Sequence, residues 1–299
     1  MKQQIAPLCY ADPLFCAWAP NIHTINKSHQ VIHLTTITNG KQRPSAPLNF
    51  PFSVPIIKSL KQLEFTTEVT FLVGENGSGK STLLEAIACA AGLPAVGSQN
   101  MQTDKTLADI RPLANQLKLS WARRTHRGFF MRTEDFFGFA RHLKSTREEY
   151  QADLARLDEE MTDRSPLARN LARMPYVGQL HEMEKRYGED LAARSHGESY
   201  FKVFQSRFVP DGLYMLDEPE APLSPLRQLS FISMMKEMVE ERSAQFIIAT
   251  HSPILMAFPG ATIYNFDSDH IKRVKYDEVE HVSIMRSFLN NPEQFLKHL

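Results

Sequence analysis

Residues 74 to 82, Gly-Glu-Asn-Gly-Ser-Gly-Lys-Ser-Thr, have the types and spacing needed to hold phosphate. Gly74, Gly79, Lys80 and Ser81 complete the pattern G-x-x-x-x-G-K-[ST]. The oxygens of a triphosphate must be met by many donors at short range. A stretch rich in glycine, with Glu75, Asn76, Gly77 and Ser78 between its ends, brings backbone N–H groups close because few side chains intervene. A helix starting at the end of the loop adds free N–H groups and a partial positive charge. Within that cradle Lys80 can reach the β- and γ-phosphates, the Ser81 hydroxyl can ligate Mg²⁺, and Thr82 is placed for the α-phosphate.

Two later segments carry matching chemistry. Leu213-Tyr-Met-Leu-Asp217-Glu218 is an apolar run ending in two carboxylates, at the C-terminal edge where α/β sheets place ligands. Asp217 suits the shell of a Mg²⁺ ion through water, and Glu218 can polarise an attacking water. Taken alone the pattern is weak, since acidic residues end many strands; the phosphate loop upstream gives it meaning. His251 ends a further buried run, 34 residues after Asp217, where an imidazole can hydrogen-bond a γ-phosphate and the attacking water. A lone histidine there would read as a satisfied edge residue.

The elements that must position these groups follow from periodicity. Val69 to Val73 is a short, mostly apolar run and predicts a buried strand before the loop; Leu83 to Ala91 predicts a helix after it. Leu213 to Leu216 and Gln245 to Thr250 predict two more buried strands, with Leu226 to Glu241 an amphipathic helix between them. His29 to Thr38 alternates and predicts a strand with His29 and His33 on one polar face. Lys41 to Pro55 carries four prolines and reads as loop or edge, with Phe50 or Phe52 placed for adenine stacking or for core packing; Ile56 to Leu63 suits a short helix. Leu117 to Trp121 and Gly128 to Arg132 read as short strands. Helical spacing marks a segment through Tyr150 to Met161, another after Pro166, and a third through Leu180 to Leu191. Thr262 to Phe266 and Ile271 to Tyr276 read as a closing pair around Asp267, and two helices end the chain.

The 299 residues can bury one large core or two smaller ones. Thirty-four basic residues balance 34 acidic ones, so no global field draws the chain to nucleic acid or membrane and any such contact must be local. No run approaches a membrane-spanning length. Leu8 to Ala19 is apolar, but Asp12 and Pro13 break it as a signal peptide, and a cytoplasmic location is expected. Cys9, Cys16 and Cys89 are scattered and read as reduced thiols. From residue 123 to 147 arginines and lysines interleave with Phe129, Phe130, Phe136, Phe137 and Phe139. That mixture can meet nucleic acid, or make an aromatic core with a solvated basic rim.

About 135 residues separate Lys80 from Asp217, far more than a minimal βαβ unit needs. The insertion ends in Ser195-His-Gly-Glu-Ser199, 22 residues before Asp217. Here the chain resembles ATP-binding-cassette (ABC) ATPases, whose signature motif offers a Ser and a Gly at a helix N-terminus. Ser195, Gly197 and Glu198 match, and His196 replaces the usual glycine. The resemblance is nearest to soluble single-domain bacterial ATPases of the AAA family, grouped with DNA-repair, chromosome-structure and overcoming-lysogenization-defect (OLD) proteins. Asp217-Glu-Pro-Glu220 with Leu223-Ser-Pro225 is similar to that group's Walker B and D-loop, and Thr250-His-Ser-Pro253 to its switch. Two departures stand out: Glu134 occupies the neighbourhood of the Q-loop glutamine, and Ser224 replaces the D-loop aspartate.

The resemblance implies an α/β fold, a P-loop NTPase of ABC type with a mostly parallel sheet, an N-terminal β subdomain and an inserted helical lobe. Residues 1–28 would be an irregular extension and 29–299 the ATPase domain, with the lobe at about 134–209. It implies Mg-dependent ATP hydrolysis, with ATP and Mg²⁺ as cofactors. Catalytic roles fall to Glu218, His251 and Lys80, and metal ligation to Ser81 and Asp217. Ser195 and Gly197 would clasp the γ-phosphate of a second subunit in a head-to-tail homodimer. DNA or a nuclease is the expected client, in DNA transactions or phage defence. An ABC-transporter ATPase subunit and an ATP-sensing regulator are the alternatives.

Overall fold

The computed structural model describes residues 31–40, 49–96, 107–187 and 196–297. The chain runs β1 (Leu34–Asn39), α1 (Pro55–Ser59), β2 (Gln62–Glu64), β3 (Val69–Val73), α2 (Lys80–Ala91), α3 (Arg111–Gln116), β4 (Leu117–Trp121) and β5 (Gly128–Arg132). Three helices follow, α4 (Thr133–Glu160), α5 (Pro166–Tyr187) and α6 (His196–Arg207). Then come β6 (Leu213–Asp217), α7 (Pro225–Arg242), β7 (Gln245–Ala249), α8 (Pro253–Met256), β8 (Thr262–Asn265), β9 (Lys272–Val274), α9 (Glu280–Asn290) and α10 (Pro292–Leu296).

Strands that are mostly apolar with no exposed position must be covered on both faces, and β3, β6 and β7, buried at every residue, are. They form the middle of a six-stranded sheet ordered β5-β6-β7-β3-β8-β9, parallel except for β9. Alternation along each strand divides the side chains between two cores. Leu72, Leu213, Met215 and Ile247 face α2, α3 and a small antiparallel sheet ordered β2-β1-β4. Phe71, Val73, Tyr214, Leu216, Phe246 and Ile248 face the other way, against Phe204 of α6, Phe231 and Met235 of α7, and Val282 of α9. At about 25 cal/mol per Å² of apolar area, each fully buried Phe or Leu contributes roughly 1.5–3 kcal/mol.

Long-range polar contacts join the two sheets. Gln245 takes the place of a neighbouring strand for Leu34: its Oε1 accepts the Leu34 N–H (2.8 Å) and its Nε2 donates to the Leu34 carbonyl (2.9 Å). The His33 ring reaches the carbonyls of Ser243 (2.8 Å) and Arg123 (3.2 Å), so it ties the sheets together. His29 lies outside the described residues.

Several expectations are revised. The helix predicted over Ile56 to Leu63 stops at Ser59, and its C-terminal part becomes β2, recruited by β1 at Thr38↔Gln62. The two short strands flanking residue 125 belong to different sheets, β4 beside β1 and β5 beside β6. The two helices predicted after Pro166 are one, α5, running through Pro175. Its residues Leu167, Leu171 and Met174 face solvent, each more than half exposed. In the basic and aromatic segment, Phe129, Phe130 and Phe136 are buried. Arg123 pairs with Asp211 (2.9 Å) and Arg132 with Glu85 (2.9 Å). This is an aromatic core with basic residues around it. No helix among the described residues is long and apolar enough to cross a membrane.

Candidate functional site

Strand order brings the three chemical segments together. β7 lies between β3 and β6, with Ala249 paired to Leu72 on one side and to Asp217 on the other. The phosphate loop leaves β3, the carboxylates end β6 and His251 follows β7, so all three emerge along one sheet edge. Backbone bonds hold the exits: Thr250 N–H donates to the Leu72 carbonyl, and Glu218 N–H to that of Ala249 (2.9 Å).

The loop from Gly74 to Gly79 has positive φ at Gly74 (+145°) and Gly79 (+97°), where a side chain would also collide. A Cβ at Gly79 would come within 2.8 Å of Val54, and one at Gly74 within 2.7 Å of Asp267. Asp267, just past the end of the adjacent strand β8, accepts the Glu75 N–H and braces the loop. Lys80 is buried, and its ammonium donates to the carbonyls of Gly74 (2.7 Å) and Glu75 (2.9 Å). Burial lowers its pKa, while Glu218, Asp217, Asp267 and Glu75 act in the opposite sense. Ser81 and Thr82 lie in the first turn of α2, and the Ser81 hydroxyl donates to Asp217 Oδ1 at 3.1 Å. Asn76 and Gly77 complete the bend, Gly77 with φ +81°.

Burial lifts the Asp217 carboxyl to about 6, against the pull of the Ser81 hydroxyl. Glu218, the next residue, departs from the strand with φ +50°, in the left-handed region. Its side chain is half exposed, with Oε1 3.6 Å from His251 Nε2. The Thr133 hydroxyl, at the start of α4, donates to the carbonyls of both Asp217 and Glu218. His251 is fixed by its backbone, whose N–H donates to Glu220 Oε1 (2.7 Å). Desolvation and the Lys80 charge lower the pKa of its ring, so the neutral imidazole is favoured. Its Nε2 is buried without a hydrogen-bond partner among the described residues, as is Ser78 Oγ in the loop.

These observations test the fit of a nucleotide with its metal. Two orphaned polar atoms and a lysine parked on loop carbonyls suit an anion in the cradle. The neighbouring oxygens of Ser81 and Asp217 are the hard donors Mg²⁺ takes beside water and phosphate. Glu134 lies exposed in the first turn of α4. Gly197 lies in the first turn of α6, and Ser195 falls outside the described residues. Ser224 caps α7, accepting from the Arg227 N–H. Phe52 packs against the core and Phe50 is 53% exposed. Sequence reasoning did not reach Thr133 or Asp267 as supports of the site, because neither belongs to a local pattern. Glu220 was legible only as part of Asp-Glu-Pro-Glu.

Two family models match. One, described as "AAA domain", covers residues 53–116, which contain the phosphate loop. The other, described as "AAA domain, putative AbiEii toxin, Type IV TA system", covers residues 200–257, which contain Asp217, Glu218 and His251. A search of curated proteins gives no match. Solved structures with a similar layout include the Smc head domain bound to the C-terminal domain of ScpA from Pyrococcus furiosus. It is 14% identical, with 87% of this chain and 100% of that one covered and a TM-score of 0.41. CbiO1 of Clostridium perfringens, part of an ABC transporter complex, is 14% identical over 90% of this chain and 100% of its own, with a TM-score of 0.41. A nucleotide-free ATP-binding cassette from an ABC transporter is 15% identical over 88% and 98%, with a TM-score of 0.43. The phosphate loop, the parallel sheet and the two AAA matches make the chain a P-loop ATPase by type and fold.

Proposed function

We propose that the chain is a Mg-dependent ATPase of ABC type whose two copies close head-to-tail around ATP and part after hydrolysis. The observation that carries this reading is the shared sheet edge, where Ser81 meets Asp217 at 3.1 Å while Glu218 and His251 stand 3.6 Å apart. In the proposed cycle Lys80 exchanges the carbonyls of Gly74 and Glu75 for phosphate oxygens, and the loop N–H groups from Asn76 to Thr82 hold the rest. Mg²⁺, held by Ser81 and by Asp217, directly or through water, would neutralise charge on the β- and γ-phosphates. Glu218 orients the attacking water and accepts its proton. His251 Nε2 donates to the γ-phosphate, which gives that buried atom the partner it lacks in the protein.

The clasp in trans is assigned to Gly197, in the first turn of α6, where helix N–H groups suit an anion, together with Ser195, two residues earlier in the sequence. Glu134 is assigned to the metal-side water, from its place one residue after Thr133. Residues 29–299 act as one unit, with 134–209 as its inserted lobe. The client is DNA or a partner protein such as a nuclease, in DNA transactions or defence against phage; the toxin wording attached to the second AAA description accords with a defence role.

The test uses Glu218→Gln, which should bind ATP without hydrolysing it. Sizing with light scattering, with and without Mg-ATP and then with DNA, is expected to show a dimer only with nucleotide. A monomer in every condition would remove the trans clasp. Absence of ATP turnover in the wild-type chain would remove the ATPase reading itself.

A further inference from the structure

His281, on the first turn of α9, has no part in the reading above, yet it touches its most sensitive residue. Its Nε2 lies 3.4 Å from Nδ1 of His251, with ring centroids 5.1 Å apart and the rings steeply inclined. His251 thus has one ring nitrogen against His281 and the other, Nε2, directed at Glu218 Oε1 at 3.6 Å. A neutral imidazole carries one N–H, so only one of the two nitrogens can donate. If His251 held its proton on Nδ1, the bare lone pair of Nε2 would face the Glu218 carboxylate. If His281 donates from its own Nε2 to Nδ1, the proton of His251 must sit on Nε2, where it points into the site.

We propose that His281 is a positioning residue that holds His251 as the Nε2–H tautomer, oriented to donate to the terminal phosphate. The inference rests on the ATPase reading, in which His251 Nε2 meets that phosphate. The contact spans 30 residues and joins the strand end to a helix that no nucleotide group touches in that reading. The backbone that carries the ring is fixed as well, because the His251 N–H is held by Glu220 (2.7 Å). Backbone and ring are therefore anchored by two different elements, and only the second sets which nitrogen carries the proton. The logic is that of an orienting partner for a catalytic imidazole, with a second histidine as the partner.

The test takes the full chain with His281→Ala, His281→Gln, His251→Ala and the double variant His251→Ala/His281→Ala. ATP turnover is first measured for the wild-type chain and for Glu218→Gln, so that loss of the ATPase reading is seen separately. His281→Ala is expected to lower kcat on the order of tenfold, with KM for ATP within about twofold and an unchanged thermal midpoint. His281→Gln, whose amide can still donate, should recover most of that loss. In the His251→Ala background, removing His281 should cost nothing more, because its effect runs through a ring no longer there. Independently of turnover, ¹⁵N spectra of the nucleotide-free protein should show His251 protonated on Nε2 in the wild type and mixed between tautomers in His281→Ala. Equal turnover in wild type and His281→Ala, additive losses in the double variant, or His251 protonated on Nδ1 would each overturn the assignment.

Discussion

The backbone at Glu218 yields a prediction whose sign runs against habit. Its φ of +50° lies where a residue with a Cβ costs roughly 1–2 kcal/mol and glycine very little. The side chain is 46% exposed, so truncating it loses little packing. At an ordinary position glycine is less stable than alanine by about 0.4–1 kcal/mol, because glycine has more freedom to lose on folding. At Glu218 the relief of the left-handed turn exceeds that term. Glu218→Gly should therefore be more stable than Glu218→Ala by about 1 kcal/mol, or about 2–3 °C in Tm for a chain of this size. Both variants lack the carboxylate, so turnover should be lost in both and the stability gap isolates the backbone. Urea denaturation with a common m-value, alongside thermal melts, measures it. If Glu218→Ala proved as stable as Glu218→Gly, or more so, the strained turn and the argument built on it would be wrong.

Other consequences are as open to measurement. Gly128, with φ +109°, lies so close to β6 that a Cβ would fall 1.9 Å from the Leu213 carbonyl oxygen; Gly128→Ala should cost about 3 kcal/mol or more, and a melt within 1 °C of wild type would refute the close approach. Thr133→Val removes the buried hydroxyl that donates to Asp217 and Glu218; a loss of about 1–2 kcal/mol is expected, with kcat falling more than KM changes, and steady-state kinetics with denaturation checks both. For Asp217 the folded pKa, about 6, stands above the ordinary 3.8. The stability it lends is thus present below about pH 4 and lost as pH rises through 6, a span worth at most about 3 kcal/mol. Metal-free Asp217→Asn should be more stable than wild type at pH 8 by about 1–3 kcal/mol, a margin that closes by pH 4; a margin independent of pH would show that the carboxylate is not penalised.

The parts of the site that could be read in the sequence are those whose chemistry and element lie side by side. The phosphate loop has its strand at Val69–Val73 and its helix from Lys80; Asp217 and His251 each follow an unbroken apolar run. What could not be read depends on distant chain. β2 takes its conformation from β1, although Ile56 to Leu63 by itself suits a helix. Thr133 serves Asp217 from 84 residues away, and Asp267 serves Glu75 from 192. The segments after Pro166 and from Leu180 read as two helices, but α5 runs through both, Pro175 included. The order β6-β7-β3 was equally hidden, for local periodicity says nothing of which strand lies beside which.

That order also bears on how the chain is made. β3 is an early strand, yet both its neighbours, β7 and β8, come late: Val69 pairs with Phe246 and Thr70 with Thr262. On the ribosome the phosphate loop is therefore finished long before the sheet that supports it can close. Until Gln245–Asn265 has emerged, Val69–Val73 is an apolar segment with two open edges, the kind of surface that pairs with whatever chain is near. Such distant pairing is slow to form and leaves newly synthesised chains dependent on protection. It also makes assembly all-or-none at the site: a chain interrupted before residue 245 holds the phosphate-binding sequence but lacks both strands that flank it.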